Sequence, residues 1–182
     1  MKKLLRKFIL FLFNESFFFD DQAKPIKKLN NKFLNLKPFK KYSFGQKNKN
    51  KSFLVINRSP GAGIFSNVTF VINYFLYSKK RDLIPMVDME NFPTIYNEIS
   101  EIFKIKNSWE YYFENFDNTK LTEVYQSKNV IITSNKFETH FELDLISNEI
   151  KEVFRKNLKL KKRYIRFVDY FSNKYFKDTK VL

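Results

Sequence analysis

Hydrophobic positions along this chain change their period several times, and each change marks an element. Residues 52–57, "SFLVIN", form a short continuous apolar run, the pattern of a strand buried on both faces. The turn "RSPGAGIF" follows, punctuated by Pro60, Gly61 and Gly63. The period then becomes helical: Val68, Val71, Ile72, Phe75 and Leu76 share one side. This predicts a helix to about Lys80, capped by Ser66 or Asn67. "LIPMVDM" is a second strand, ending at Asp88. Strand, turn, helix and strand in close succession make a βαβ unit, which implies a parallel sheet and a right-handed crossover.

Further along, "FPTIYNEISEIF" predicts a helix with Pro93 near its first turn. "NSWEYYFENF" is an aromatic cluster and "NVIIT" a third short strand. Two helical stretches follow from about Leu143, "LISNEIKEVFRKNLK" and "KKRYIRFVDYFSNKYF". The second carries Ile165, Val168 and Phe171 or Ser172 along one side and bases along another. The closing "TKVL" resembles the opening of another buried strand, so the lobe is expected to be incomplete.

Upstream, the apolar run Phe8–Phe13 is too short for a spanning helix, which needs roughly 20 residues. No small-residue cleavage site accompanies it. Three segments result: a basic amphipathic N-terminal helix over 1–19, a Lys- and Asn-rich linker or arm over 20–51, and an α/β lobe over 52–182. The expectation is a cytoplasmic chain that touches a membrane peripherally through its basic N-terminus, if at all.

Charge sharpens this division. Residues 1–52 carry 14 Lys and Arg against 3 acids, and residues 151–182 carry 11 against 3. Residues 53–150 carry 9 against 13 and are net acidic, although the whole chain is +15. A groove that tracks a phosphate backbone needs bases around it, so the segment with the glycine loop is no nucleic-acid site. Basic flanks suit an anionic membrane surface. Cysteine is absent, which excludes disulfides and thiolate chemistry, and His140 alone cannot form a His-clustered metal site.

The loop carries the candidate chemistry. Gly61-Ala62-Gly63-Ile64-Phe65-Ser66 is GxGxxS, one residue from a dinucleotide fingerprint. Glycine lets backbone N–H groups approach a phosphate, and the following helix N-terminus favours negative charge. Asp88, at the end of the second strand, stands where such a site places its ribose-binding acid. Pro60 before the first glycine and Ser in place of the third depart from the pattern. A tight turn with an ordinary helix cap fits the same residues. Asp88 and Glu90 could also contact an acceptor hydroxyl, and the aromatics Trp109 to Phe113 could stack on a sugar or pack a helix.

Taken in order, "PGAGIFSNVTFVINYFLYSKK", "IPMVDMENFPTIYNE" and "SWEYYFE" resemble segments of the fucosyltransferase superfamily. That group includes α-1,6-fucosyltransferases, protein O-fucosyltransferases and bacterial relatives found near surface-polysaccharide genes. The likeness covers about Ser52 to Leu182. It implies a Rossmann-like N-terminal lobe of a GT-B-like, metal-independent glycosyltransferase using a GDP-sugar, usually GDP-fucose, with a glycan acceptor. No resident cofactor is implied. Gly61, Gly63, Ser66, Asn67 and Asp88 are the residues it sets beside substrate. The donor lobe's His-x-Arg motif, which grips the diphosphate, has no counterpart in this sequence. The 182-residue chain alone is therefore expected not to catalyse transfer. Two other readings stand beside this one: a dinucleotide-binding oxidoreductase lobe, and a non-catalytic, membrane-peripheral binding domain.

Overall fold

The structure is a computed structural model that describes residues 36–61, 63–135 and 148–176. The expected N-terminal helix over 1–19, His140 and the terminal "TKVL" lie outside the described residues. The strands are β1 (Lys41–Tyr42), β2 (Phe53–Ile56), β3 (Ile84–Val87) and β4 (Val130–Ile132). The helices are α1 (Ile64–Lys79), α2 (Trp109–Tyr112), α3 (Leu121–Val124), α4 (Asn148–Asn157) and α5 (Lys162–Tyr175). The fold is mixed α/β, with one four-stranded sheet in the order β1-β4-β2-β3. β2 runs parallel to both β3 and β4, and β1 adds an antiparallel edge to β4.

β2 is central, and all four of its residues are buried. The pleat sends Leu54 and Ile56 to one face and Phe53 and Val55 to the other. The register keeps each face consistent across the sheet. Phe53 pairs with Ile84 and Val130, and Val55 with Met86 and Ile132, all on one side. On the other side α1 lays Val68, Val71 and Ile72 over Leu54 and Ile56, together with Trp109, Phe113 and Val153 of α4. Full burial of a side chain such as Leu or Phe contributes about 1.5–3 kcal/mol, so this strand anchors the domain.

Three expectations need correction. The stretch 93–103 contains no helix. Its polar side chains bond the local backbone instead: Asn97 Oδ1 accepts from the Thr94 N–H at 2.7 Å, and Asn97 Nδ2 donates to the Met89 carbonyl at 2.6 Å. Phe103 and Lys104 then take left-handed φ of 53° and 62°, which no helix tolerates. Second, α1 begins three residues before the expected cap. Gly63 is its N-cap, and its carbonyl accepts the Asn67 N–H at 3.0 Å. Ser66 and Asn67 therefore lie inside the first turn and are not its N-cap.

Third, residues 36–51 are not a loose arm. β1 pairs Lys41 with Ile131 and Tyr42 with Val130. Beyond β1 the Phe44 N–H reaches the Ser127 carbonyl at 3.0 Å, and the Lys128 N–H reaches the Lys47 carbonyl at 3.0 Å. Gly45 makes this approach feasible, because an added Cβ would lie 2.4 Å from the Gln126 carbonyl oxygen.

Candidate functional site

In a parallel sheet, ligands gather outside the carboxyl ends of the strands, at the point where chain order reverses. Here the chain leaves β2 for β3 on one side and returns for β4 on the other, so that point lies between β2 and β4. The residues just past the three strand ends are Asn57, Asp88 and Thr133. They sit side by side: the Asp88 N–H donates to the Ile56 carbonyl and the Thr133 N–H to the Val55 carbonyl, each at 2.9 Å.

The loop after β2 is bound on both sides. Asn57 donates its backbone N–H to Thr133 Oγ1 at 3.2 Å and its Nδ2 to the Thr133 carbonyl at 3.1 Å. Arg58 Nη1 donates to the Asn135 carbonyl at 3.0 Å, and Asn135 Nδ2 answers to the Ser59 carbonyl at 2.9 Å. The Arg58 guanidinium also lies 4.6 Å from the centre of the Phe70 ring on α1. On the β3 side, the Ile95 N–H donates to the Pro60 carbonyl at 3.3 Å.

The two loop glycines differ in role. Gly61 is buried at φ +80°, in the region that side-chain-bearing residues avoid. A Cβ there would meet the Arg58 carbonyl oxygen at 2.8 Å and Asn67 Oδ1 at 2.9 Å. Gly63 is exposed with open space around it, at ordinary φ −55°. Of the other expected contacts, Asn67 is buried under the turn, and Ser66 is half-buried on α1. Phe65, next to them, is 83% exposed in the first turn of α1, and nothing in the hydrophobic pattern singled it out. That first turn carries no acidic residue, so nothing acidic in the turn offsets the partial positive charge of the helix N-terminus.

Asp88 stands differently from the sequence expectation. It is 0% exposed, and both carboxylate oxygens are occupied. Oδ1 accepts the N–H groups of Glu90 at 3.1 Å and Asn91 at 2.8 Å. Oδ2 accepts Asn91 Nδ2 at 2.9 Å and the Tyr125 hydroxyl at 2.6 Å. Burial pushes the carboxyl above its ordinary value, and the Tyr125 and Asn91 hydrogen bonds pull it partly back. Burial, together with the neighbouring Asp88 charge, pushes the Tyr125 phenol well up, so Tyr125 keeps its proton and donates. Asp88 thus holds the 88–91 turn from beneath and offers no oxygen to a ligand. Tyr125 lies far along the chain on the α3 side, and no local pattern pointed to it.

The segment after that turn is held with equal care. Asn107 donates Nδ2 to the Val87 carbonyl at 2.8 Å and accepts the Met89 N–H at 3.1 Å. Asn97 Oδ1 also accepts the Ser108 hydroxyl at 2.9 Å. A long connection without regular structure is uncommon inside a domain and often functional; here two buried amides give it one shape. Beside it opens a polar cleft of about 620 Å³, lined by Glu90, Glu114, Asp117, Lys120, Lys159 and Lys161. Lys161 Nζ and Glu114 Oε2 form an ion pair at 2.9 Å on its wall. Among the described residues, no group of three His, Cys, Asp or Glu side chains could hold a metal ion.

No protein-family model matches this chain, and no curated protein and no solved structure matches it either.

Proposed function

We propose that this α/β unit is the N-terminal, acceptor-side lobe of a GT-B-like glycosyltransferase that uses a GDP-sugar, in the manner of the fucosyltransferases its segments resemble. The carrying observation is the loop at the strand-order reversal. Gly61 turns the main chain at the carboxyl edge of β2, directly before an α1 N-terminus whose first turn carries no acid. Such an edge suits the negative charge of a sugar diphosphate. Exposed Phe65 adds an aromatic face on which a sugar ring can rest. The neighbouring polar cleft, with both acids and lysines, suits a hydroxyl-rich acceptor glycan.

The dinucleotide oxidoreductase reading has less support. It needs an acid at the end of β3 free to take a ribose hydroxyl, and Asp88 is buried with both oxygens engaged. Its usual strand order also sets the third parallel strand beside the second, whereas β4 lies beside β2.

Transfer needs fixed positive charge on the leaving diphosphate. Arg58, the cation nearest the loop, is engaged with Asn135 and Phe70. The chain alone is therefore expected to bind the donor weakly and to transfer no sugar from GDP-fucose to glycans. Thermal unfolding with GDP-fucose, GDP and NAD tests this, since a ligand bound only by the folded state raises Tm. A rise with GDP-fucose that Phe65→Ala weakens, and none with NAD, is the expected result. A rise with NAD alone would sink the proposal, and efficient turnover would sink the half-site reading.

A further inference from the structure

Helix α5 departs from every other long element: none of its residues is buried. Its start is fastened to the domain. The Lys161 N–H donates to the Tyr112 carbonyl at 2.9 Å, and the Tyr164 ring stacks on Tyr112 at 5.6 Å. The Arg163 guanidinium bonds the Tyr111 carbonyl and lies 3.9 Å from the centre of the Phe103 ring. Beyond Tyr164 the described residues of the helix are all exposed.

Its residues are sorted by side. At 3.6 residues per turn, Tyr164, Phe167, Val168, Phe171 and Tyr175 share one face. The rings along it touch: Phe167 and Phe171 centroids are 6.3 Å apart, and Phe171 and Tyr175 are 4.6 Å apart. Phe167, Val168, Phe171 and Tyr175 are nonetheless 44–63% exposed. Lys174 borders this face, Lys162 and Arg166 lie on the opposite side, and Asp169 is the only acid in the helix.

We infer that α5 is a docking helix for an anionic lipid surface, lying in the plane of the membrane with its aromatic face in the headgroup boundary. An apolar face set against a polar face that carries lysine and arginine, at low overall hydrophobicity, is the composition of an interfacial helix. Charge decides between occupants. A second copy would bring together two tails that each carry 11 bases against 3 acids over 151–182, whereas anionic headgroups attract them. A phosphate backbone would engage the opposite side, where Lys162 and Arg166 lie, and would leave the exposed rings and Val168 uncovered. Among the described residues no helix is long and apolar enough to cross a membrane, which agrees with a helix that lies on one. This inference does not depend on the glycosyltransferase reading.

Cosedimentation of the full chain with vesicles of phosphatidylcholine alone, and of phosphatidylcholine mixed with phosphatidylglycerol, tests it. The wild type is expected to sediment with the mixed vesicles and far less with the neutral ones. A base near the surface is worth about 1 kcal/mol, or about fivefold, and Lys174 borders the apolar face, so Lys174→Gln should weaken binding about fivefold. Phe167→Ser with Phe171→Ser should abolish it. These side chains are exposed, so the variants are expected to keep the wild-type unfolding transition, which is checked in parallel. Undiminished binding by both variants would assign any membrane contact to residues outside α5 and overturn the inference. So would a wild type that ignores anionic vesicles, or a dimer that the Phe variants split without any effect on vesicles.

Discussion

The sheet with its loops, residues 36–135, and the terminal helix α5 solve opposite problems with similar residues. Both are rich in Phe and Tyr. In the sheet region Phe53, Phe70, Tyr74, Trp109 and Tyr111 are almost wholly buried, and polar groups such as Asp88, Asn97 and Asn107 are buried with partners. In α5 the same ring types face outward. Aromatic content thus says little about where a side chain sits. What separates the regions is connection across the sequence. Phe53, Phe70, Tyr74 and Trp109 meet chain from elsewhere, while the rings of Phe167, Phe171 and Tyr175 on α5 meet one another.

The sharpest way to break this comparison is a pair of truncations. Trp109 is buried and stacks on Phe113 at 4.3 Å. Trp109→Ala should destabilise the domain by about 3–5 kcal/mol, whereas Phe167→Ala on α5 should stay within about 0.5 kcal/mol. Urea unfolding measures both, and equal losses would mean that α5 is packed in solution. Next in size is Asp88→Ala, which leaves the Glu90 and Asn91 N–H groups and the Tyr125 hydroxyl without their acceptor. A cost of about 3 kcal/mol is expected. A neutral result would return Asp88 to the surface and to ligand binding.

The loop glycines give a smaller and cleaner contrast. Gly61→Ala meets both an unfavourable φ and the Arg58 carbonyl, and should cost about 2 kcal/mol. Gly63→Ala has open space and ordinary φ, and should be near neutral. Thermal unfolding of both variants decides it, and equal effects would show that the loop is not held as described.

The smallest effect is a slope with pH. The Asp88 carboxyl is raised in the folded chain, so between its unfolded and folded values the folded state holds more protons. Its contribution to stability is therefore full below the ordinary value of 3.8 and falls as pH rises through the raised one. Relative to Asp88→Asn, the wild type should lose stability across that window and then level off. Denaturation midpoints of the two proteins from acid to neutral pH measure this, and an opposite slope would mean that the hydrogen bonds outweigh burial.

How far the sequence foretold this arrangement depends on how local each cause is. β2, β3, β4 and α1 were legible because their apolar periods are local and clear. The 93–103 stretch also has a helical period, yet Thr94 and Asn97 spend their side chains on backbone partners that only the folded loop supplies. The two-residue β1 carries no period at all, and it exists because β4 offers an open edge. In the site, the two glycines announced the turn. Thr133 and Asn135 reach the loop after β2, and Tyr125 reaches Asp88, from separations of 37 to 77 residues, which no window along the chain can see. The acid that pattern alone favoured, Asp88, stands at the end of β3, buried and bonded to Asn91 and Tyr125.

The position of β2 between β3 and β4 also governs how the protein is made. When Phe53–Ile56 leaves the ribosome, neither neighbour yet exists. At about 5–20 residues per second, the β4 edge stays open for roughly 4–16 s while the intervening chain is synthesised. β1, made before all of them, must wait longest, because Lys41 and Tyr42 pair only with Ile131 and Val130. During that interval an apolar four-residue strand is exposed to other nascent chains. Lys51 and Arg58 bracket it, and charges in those positions act as gatekeepers against strand-to-strand aggregation.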